Sequence, residues 1–460
     1  MKKLYLFLLL LVFQYPILLS GQERTVPEVE PNPMTIDLTR MLGKDIFELN
    51  GVPYLQPTVE AMNSTSNARF FNQAFVPSKV DKPYFRAGLH GMWGIVPKAM
   101  KTYAPKLPME ELTTENLLKY GTIDIDIINP ENTTFSIDDT AGLIYAALKG
   151  MIYDGIKKDS LNVPPSAPTA LGKGKVAFDL PSAVLDTLFR NLTIDVPILG
   201  KIKIYDYLPD DIKDSLSGIF EGFPDLFNLP EGGGLDYFYA VVPQVEIGAL
   251  FGTELLLRGL PPVNMGEDIG DFAFWGIGLK HSISQYFNEG DEPEQRYFDM
   301  AVQVVYQGTF LKNSIGVTNA DLEASANMWD FNIHASKHFE GIIDVYTGIS
   351  YEMIDITSDY IYYLPIEMQW ELGLIDKYNN EVEQGNPPNY KPTEKGDPNH
   401  PETLYDHLGD QNPQTATISL DDGSVKWVIG VSRQFGPIAV FIDYSVCKFN
   451  IFSGGIEYRF

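Results

Sequence analysis

His334 and His338, in "HASKH", have the spacing of two metal ligands on one helix face. The run that holds them, "NMWDFNIHASKHF", has the length of a strand. In a strand, residues four apart are separated by about 13 Å, at about 3.3 Å per residue. That is too far to share one zinc, so neither a metal site nor any other cofactor is expected. His281 and Ser282 adjoin in "KHSIS", but strand neighbours point to opposite faces and make no catalytic dyad. The glycines before Leu279 and Lys280 suit relief of crowding in a sheet better than phosphate binding. "NPENTT" and "LDDGS" read as turn chemistry first, with calcium ligation as the alternative. Nothing in the chain brings a nucleophile, a base and an orienting group together, so no enzyme is expected.

A second set of residues says more. Glu246, Glu254, Arg258, Lys280, Asp344, Glu352, Asp443, Glu457 and Arg459 each fall on the polar face of an alternating segment. If the apolar faces meet lipid, these nine line an interior, and both signs of charge are present. The plainer reading is a structural network in a largely filled lumen. The sharper one is a permeation path biased towards cations by its excess of carboxylates.

The elements that must position them are long amphipathic strands. "GPIAVFIDYSVCKFN" puts Ile438, Val440, Ile442, Tyr444 and Val446 on one face. "VKWVIGVSRQF" alternates Trp427, Ile429 and Val431 with Lys426, Gly430 and Ser432. "GIIDVYTGISYEMID", "RYFDMAVQVVYQGTF", "FAFWGIGLKHSISQYF" and the two strands of "YFYAVVPQVEIGALFGTELLLRGLP" follow the same period of two. Nine strands are counted from Asp236 onward, and "PYFRAGLHGMWGIVP" is the first strand of all. Their length, about 10 to 15 residues, exceeds the usual five or six or so of globular strands. Short turns at Phe251-Gly252, Glu340-Gly341 and Phe435-Pro437 alternate with long connections over 261–271, 311–325 and 358–413. The connection at 288–296 is long for its side, and the one near Lys448 short for its own. The pattern predicts a transmembrane, antiparallel, up-and-down β-barrel, and about 12–14 strands are expected.

The rest of the chain is less regular. "MKKLYLFLLLLVFQYPILLSGQ" has the charged start, apolar run and small residues of a secretory signal peptide over 1–21. Residues 22–81, with helix-compatible stretches at 38–49 and 54–75, form either a lumen plug or a periplasmic extension. The barrel is then placed at 82–460, with an irregular insertion around 98–234 where strands ("GTIDIDII", "TTFSIDD") mix with helices ("AGLIYAALKGMIYDGIKK", "SAVLDTLFRNL"). A formal charge of -27 argues against nucleic acid. One cysteine, Cys447, excludes an internal disulfide framework.

The ending "GGIEYRF", the export signal and the strands together resemble Gram-negative outer-membrane β-barrels. "PQVEIGALFGTELLLRGLPPV", "FWGIGLKHSISQYF" and "ISYEMID" are similar to an uncharacterised outer-membrane family, distantly like the FadL-type transporters of hydrophobic compounds. The likeness covers mainly 236–460, and no FadL-type substrate residue can be matched. It implies that Phe452, Ile456, Tyr458 and Phe460 form the signal read by the barrel-assembly machinery. It further implies a place in the outer membrane among its lipids, with passive diffusion of a small, unidentified solute as the function, a hydrophobic one if the FadL-type likeness extends that far. A non-transporting surface anchor is the alternative, and an outer-membrane hydrolase a distant third.

Overall fold

The computed structural model describes residues 32–80, 82–117, 119–124, 134–196, 200–207, 210–264, 271–287, 296–315, 320–372, 374, 410, 412 and 414–460. The signal-peptide reading at 1–21, most of "NPENTT" and the 375–409 part of the acidic connection lie outside these residues.

Ten strands close into one antiparallel barrel. In chain order they are β1 (Tyr84–Ile95), β2 (Tyr237–Leu250), β3 (Thr253–Asn264), β4 (Asp271–Ser282) and β5 (Asp299–Ile315). They continue as β6 (Ala320–Phe339), β7 (Ile343–Tyr362), β8 (Gln414–Phe435), β9 (Ile438–Val446) and β10 (Ile451–Arg459). Each pairs with the next, and β1 pairs with β10 to close the ring, setting Gly91 opposite Gly454 and Trp93 opposite Phe452. The period of two is what folds them this way. Along β8, Val425, Trp427, Ile429 and Val431 are exposed, whereas Ser424, Lys426, Val428 and Ser432 are buried.

The expected 12–14 strands are too many. The nine strands after Asp236 and the one before Lys98 close the barrel, and among the described residues the insertion contributes none to it. Its extended pieces Gly121–Asp124 and Thr134–Ile137 pair only with each other, as a separate ribbon. The strands are also longer than expected on one side, with 17, 20, 20 and 22 residues in β5 to β8. Much of the connection read at 311–325 is therefore strand. "LDDGS" is likewise no turn but lies inside β8. Pairing with β7 overrides its local turn preference: Asp422 stands opposite Ile354 and Gly423 opposite Met353.

The three short turns lie at one end of the barrel, with both chain-ward ends of the closing pair. Phe460 donates its backbone N–H to Phe85 O there (2.9 Å). Gly252 and Gly436 hold φ of +71° and +60° in these turns, a conformation that glycine adopts without strain.

The opposite end carries a cap. Helices α1 (Thr140–Lys157), α2 (Ser182–Arg190) and α3 (Asp210–Glu221), all from the β1–β2 connection, pack there with α4 (Ile366–Glu371). Their core includes Leu148, Phe178, Leu185, Phe220 and Met368. Through it runs the longest helix, Pro33–Ser66, here called α0 because it precedes them all. Asn32 caps it, accepting from the N–H groups of Met34 (3.0 Å) and Thr35 (3.3 Å). The two expected helical stretches are thus one helix, ending at Ser66 rather than Phe75. It carries Pro53 and Pro57 in its interior, each lacking the usual N–H donor. Packing of both halves holds it together, although Glu48, Leu49 and Val52 in the middle are exposed. Leu38, Leu42 and Ile46 pack in the cap core, and Val59 and Ala61 pack against Met328, Ile354, Ile418 and Leu420 of the wall.

Candidate functional site

The inward faces of ten strands enclose a lumen, and the chain's own residues 58–76 occupy it. The second half of α0 and the segment after it run from the cap end towards Tyr84, where Val76 packs. The contacts are polar and specific. Asn63 donates to Asp422 Oδ2 (3.0 Å), Asn72 to Glu457 Oε2 (2.8 Å), and Ala74 N–H to Ser336 Oγ (2.8 Å).

The end of α0 explains part of this arrangement. A helix C-terminus leaves carbonyls unpaired and carries partial negative charge. This helix has no basic residue in its last turn, so the wall supplies the cations. Arg258 donates to the carbonyls of Ser66 (3.0 Å), Ala68 (3.1 Å) and Arg69 (2.9 Å). Lys426 reaches Asn67 O (2.7 Å) and also pairs with Glu352 (2.5 Å). Gln307 adds a bond to Ser66 O (3.1 Å). Three strands thus hold one helix end.

Below it, Arg69 pairs with Asp443 and donates to Tyr346 Oη (2.8 Å), with its guanidinium 3.8 Å from the centre of the Phe441 ring. Phe71 stacks on His334 at 4.1 Å, in the space left by Gly348. A second group is built mainly by the wall, with the Gln73 amide of the lumen segment beside Arg86. Arg86 bridges Glu246 (3.0 Å) and Glu254 (3.3 Å), Tyr84 donates to Glu254 (2.5 Å), and Lys280 also pairs with Glu254.

Of the nine expected interior residues, Glu246, Glu254, Arg258, Lys280, Glu352, Asp443 and Glu457 are buried in these networks. Asp344 is half-buried near the short-turn end and pairs with His338 (2.6 Å). Arg459 is exposed at the end of β10, over the Tyr84 ring. Lys426, Gln307, Asp330 and Arg86 belong to the same interior and share the polar faces, so alternation alone could have marked them. Arg69 could not have been found that way, because its segment has no period. His334 lies inside and His338 at the end of the same strand, β6.

At the cap-side mouth of the lumen, burial raises the Glu60 carboxyl above the ordinary carboxylate range, with nearby Lys448 opposing the shift. Burial also pushes the Tyr103 phenol up to about 12.

The outer wall is the second surface of interest. Exposed Val302, Ile333, Ile349, Ile429, Val440 and Ile456 form an apolar belt around the barrel. Towards the cap it ends on a ring of aromatics that neighbour one another across the strands. Trp275 meets Tyr306 (5.4 Å), Tyr306 meets Trp329 (4.5 Å), Tyr444 meets Phe452 (4.6 Å), and Phe452 meets Trp93 (5.9 Å). Trp427 belongs to the same level on β8, so four of the chain's five tryptophans lie in or beside this ring. Above it the outward residues turn polar: Ser419 and Asp421 on β8, Asp355 and Thr357 on β7, Ser325 and Asn327 on β6. At the short-turn end Phe339, Phe435, Tyr458 and Phe460 make a second aromatic rim. Phe452 and Ile456 are also exposed on the outer wall, Phe452 in the upper ring and Ile456 in the belt.

These features define the class: a closed, antiparallel β-barrel whose interior is occupied by its own N-terminal segment and whose outer wall is apolar. The chain belongs to the family of unknown function DUF6588, which matches residues 1–460. No curated protein is significantly similar to it. Membership in this family does not single out FadL-type transporters.

Proposed function

We propose that this protein is an outer-membrane β-barrel with a closed lumen, serving as an anchor that presents the helical cap at the cell surface. The observation that carries the membrane reading is the belt. From Trp427 to Phe435, eight residues along β8, the strand spans about 26 Å. Tilted by about 40°, that becomes about 20 Å, near the height of about 25 Å of apolar wall in such barrels. Aromatic rims at both edges suit the two interfaces of a bilayer. A water-soluble barrel would have to leave this whole surface unpaired, far beyond the largest apolar patches of ordinary monomers, about 300–600 Å². Short turns and strand ends are periplasmic in this class, so the cap faces outward.

The anchor reading is favoured over solute diffusion by the filled lumen. Eight-stranded barrels are already packed with side chains, whereas the porins that leave an aqueous channel have about 16–18 strands. Ten strands around a helix leave no comparable room, and the charged groups that would line a path are engaged with the plug and with one another. No catalytic step is assigned.

Membrane fractionation and heat-modifiable gel mobility test the barrel's location. Retention after a carbonate wash, with a mobility shift on boiling, is the expected result. Release in soluble form with no shift sinks the reading. Refolded protein in planar bilayers tests the lumen: no steady conductance is expected, and a stable open-pore current would return solute diffusion to first place.

A further inference from the structure

The outer wall is dented at the seam between β1 and β10. Gly91 and Gly454 stand opposite each other where β1 meets β10, and both belong to the outward face. With no side chain at either, a groove of about 370 Å³ opens there. Trp93, Tyr239, Val241, Ile442 and Phe452 frame it, so the side chains around it are apolar or aromatic. Its position relative to the ring is equally specific. Trp93 and Phe452 belong to the cap-side aromatic ring, and Gly91 and Gly454 are the next outward positions towards the middle of the belt.

We propose that this groove is a binding site for one acyl chain of a lipid in the cap-side leaflet. The proposal rests on the membrane reading above. A headgroup at the level of the aromatic ring would hang its chain directly into the groove, with contact on both flanks and at the floor. Over much of the belt large side chains such as Val302, Ile333, Ile349 and Ile429 cover the wall, and a chain touches it there on one side only. Dispersion contacts accumulate atom by atom, so enclosure on three sides holds a chain longer than a convex wall does. The groove is too small to be an interface between two copies by itself, since stable protein interfaces bury about 1,200–2,000 Å². No cationic side chain frames it, so the chain rather than the headgroup is what it selects.

The test uses the full chain refolded into phosphatidylcholine vesicles that contain a lipid with a diazirine midway along one acyl chain. After irradiation, labelled residues are mapped by mass spectrometry. Labelling should concentrate several-fold on the segments around Val241, Ile442 and Phe452, compared with those around Ile333 and Ile349. Gly91→Leu should abolish that excess. A Cβ at Gly91 would have only Gly454 O nearby, at 3.6 Å, so the larger residue fits against the wall and fills the dent. Folding of the variant is checked by its heat-modifiable mobility, and the wild-type distribution decides the matter even if the variant misfolds. Uniform labelling of the wall overturns the site while leaving the membrane reading intact. Absence of wall labelling anywhere removes the membrane reading itself. A dimer in sedimentation that Gly91→Leu dissociates, with no labelling excess, assigns the groove to a second copy and overturns the acyl-chain proposal.

Discussion

Arg69 illustrates how much rests on single buried charges. It lies in a segment without regular structure, yet it joins Asp443 of β9 to Tyr346 of β7. Replacing it with methionine removes the cation and leaves the Asp443 carboxylate buried without its partner. A loss of about 3–5 kcal/mol is expected, because an uncompensated buried charge costs far more than the pair contributes. The midpoint of urea unfolding, followed by gel mobility, would measure it. Arg69→Met combined with Asp443→Leu should recover much of the loss. If the double variant is as unstable as the sum of the two single ones, the pair is not coupled and the account fails.

At the scale of elements, the helix and the wall are fitted to each other. Gly348 of β7 is small because Phe71 lies over it. An added Cβ would come within 2.7 Å of Phe71 Cζ and within 2.9 Å of the backbone oxygen of Ile333. Gly348→Leu therefore displaces Phe71 from His334 and overpacks the lumen, at an expected cost of about 1–3 kcal/mol. Its thermal midpoint should fall while the closed barrel still forms. The last strand has a different weakness. Deleting Phe460 removes one hydrogen bond to Phe85 and the ring contact with Tyr458 (4.9 Å), both small losses. The larger effect predicted is on assembly: a lower fraction of chains in the heat-modifiable form in membranes. A truncated chain that inserts as well as the intact one would remove the signal role of that ending.

Across the whole molecule, the chain is threaded. Asn32 and the first turns of α0 lie in the cap, and the chain then passes down through the lumen to begin β1 at the opposite end. The N-terminal end of the described chain and the C-terminus are thus on opposite sides of the barrel. With the cap outward, an epitope placed just before Asn32 should be cleaved by protease on intact cells. An epitope after Phe460 should be protected until the outer membrane is permeabilised. The reverse pattern would invert the proposed orientation.

Much of the barrel was legible in the sequence, for a simple reason. Side chains on a strand alternate regardless of which neighbour it finds, so the apolar and polar faces of β1 to β10 and the inward set from Glu246 to Glu457 could be read locally. The turns at Gly252 and Gly436 were visible on the same grounds. Other features depend on distant partners and left no local mark. Asp421, Asp422 and Gly423 look like a turn, yet pairing with β7 makes them strand. Pro53 and Pro57 argue for breaks, yet burial keeps one helix whole. Strand number followed only once the 98–234 insertion was seen to fold as a cap rather than join the wall. Alternation by itself determined that there are two faces, one greasy and one charged. Only the tertiary structure decided that the charged face closes on the chain's own N-terminal helix, because Arg258, Gln307 and Lys426 find their carbonyl acceptors 189 or more residues away in sequence.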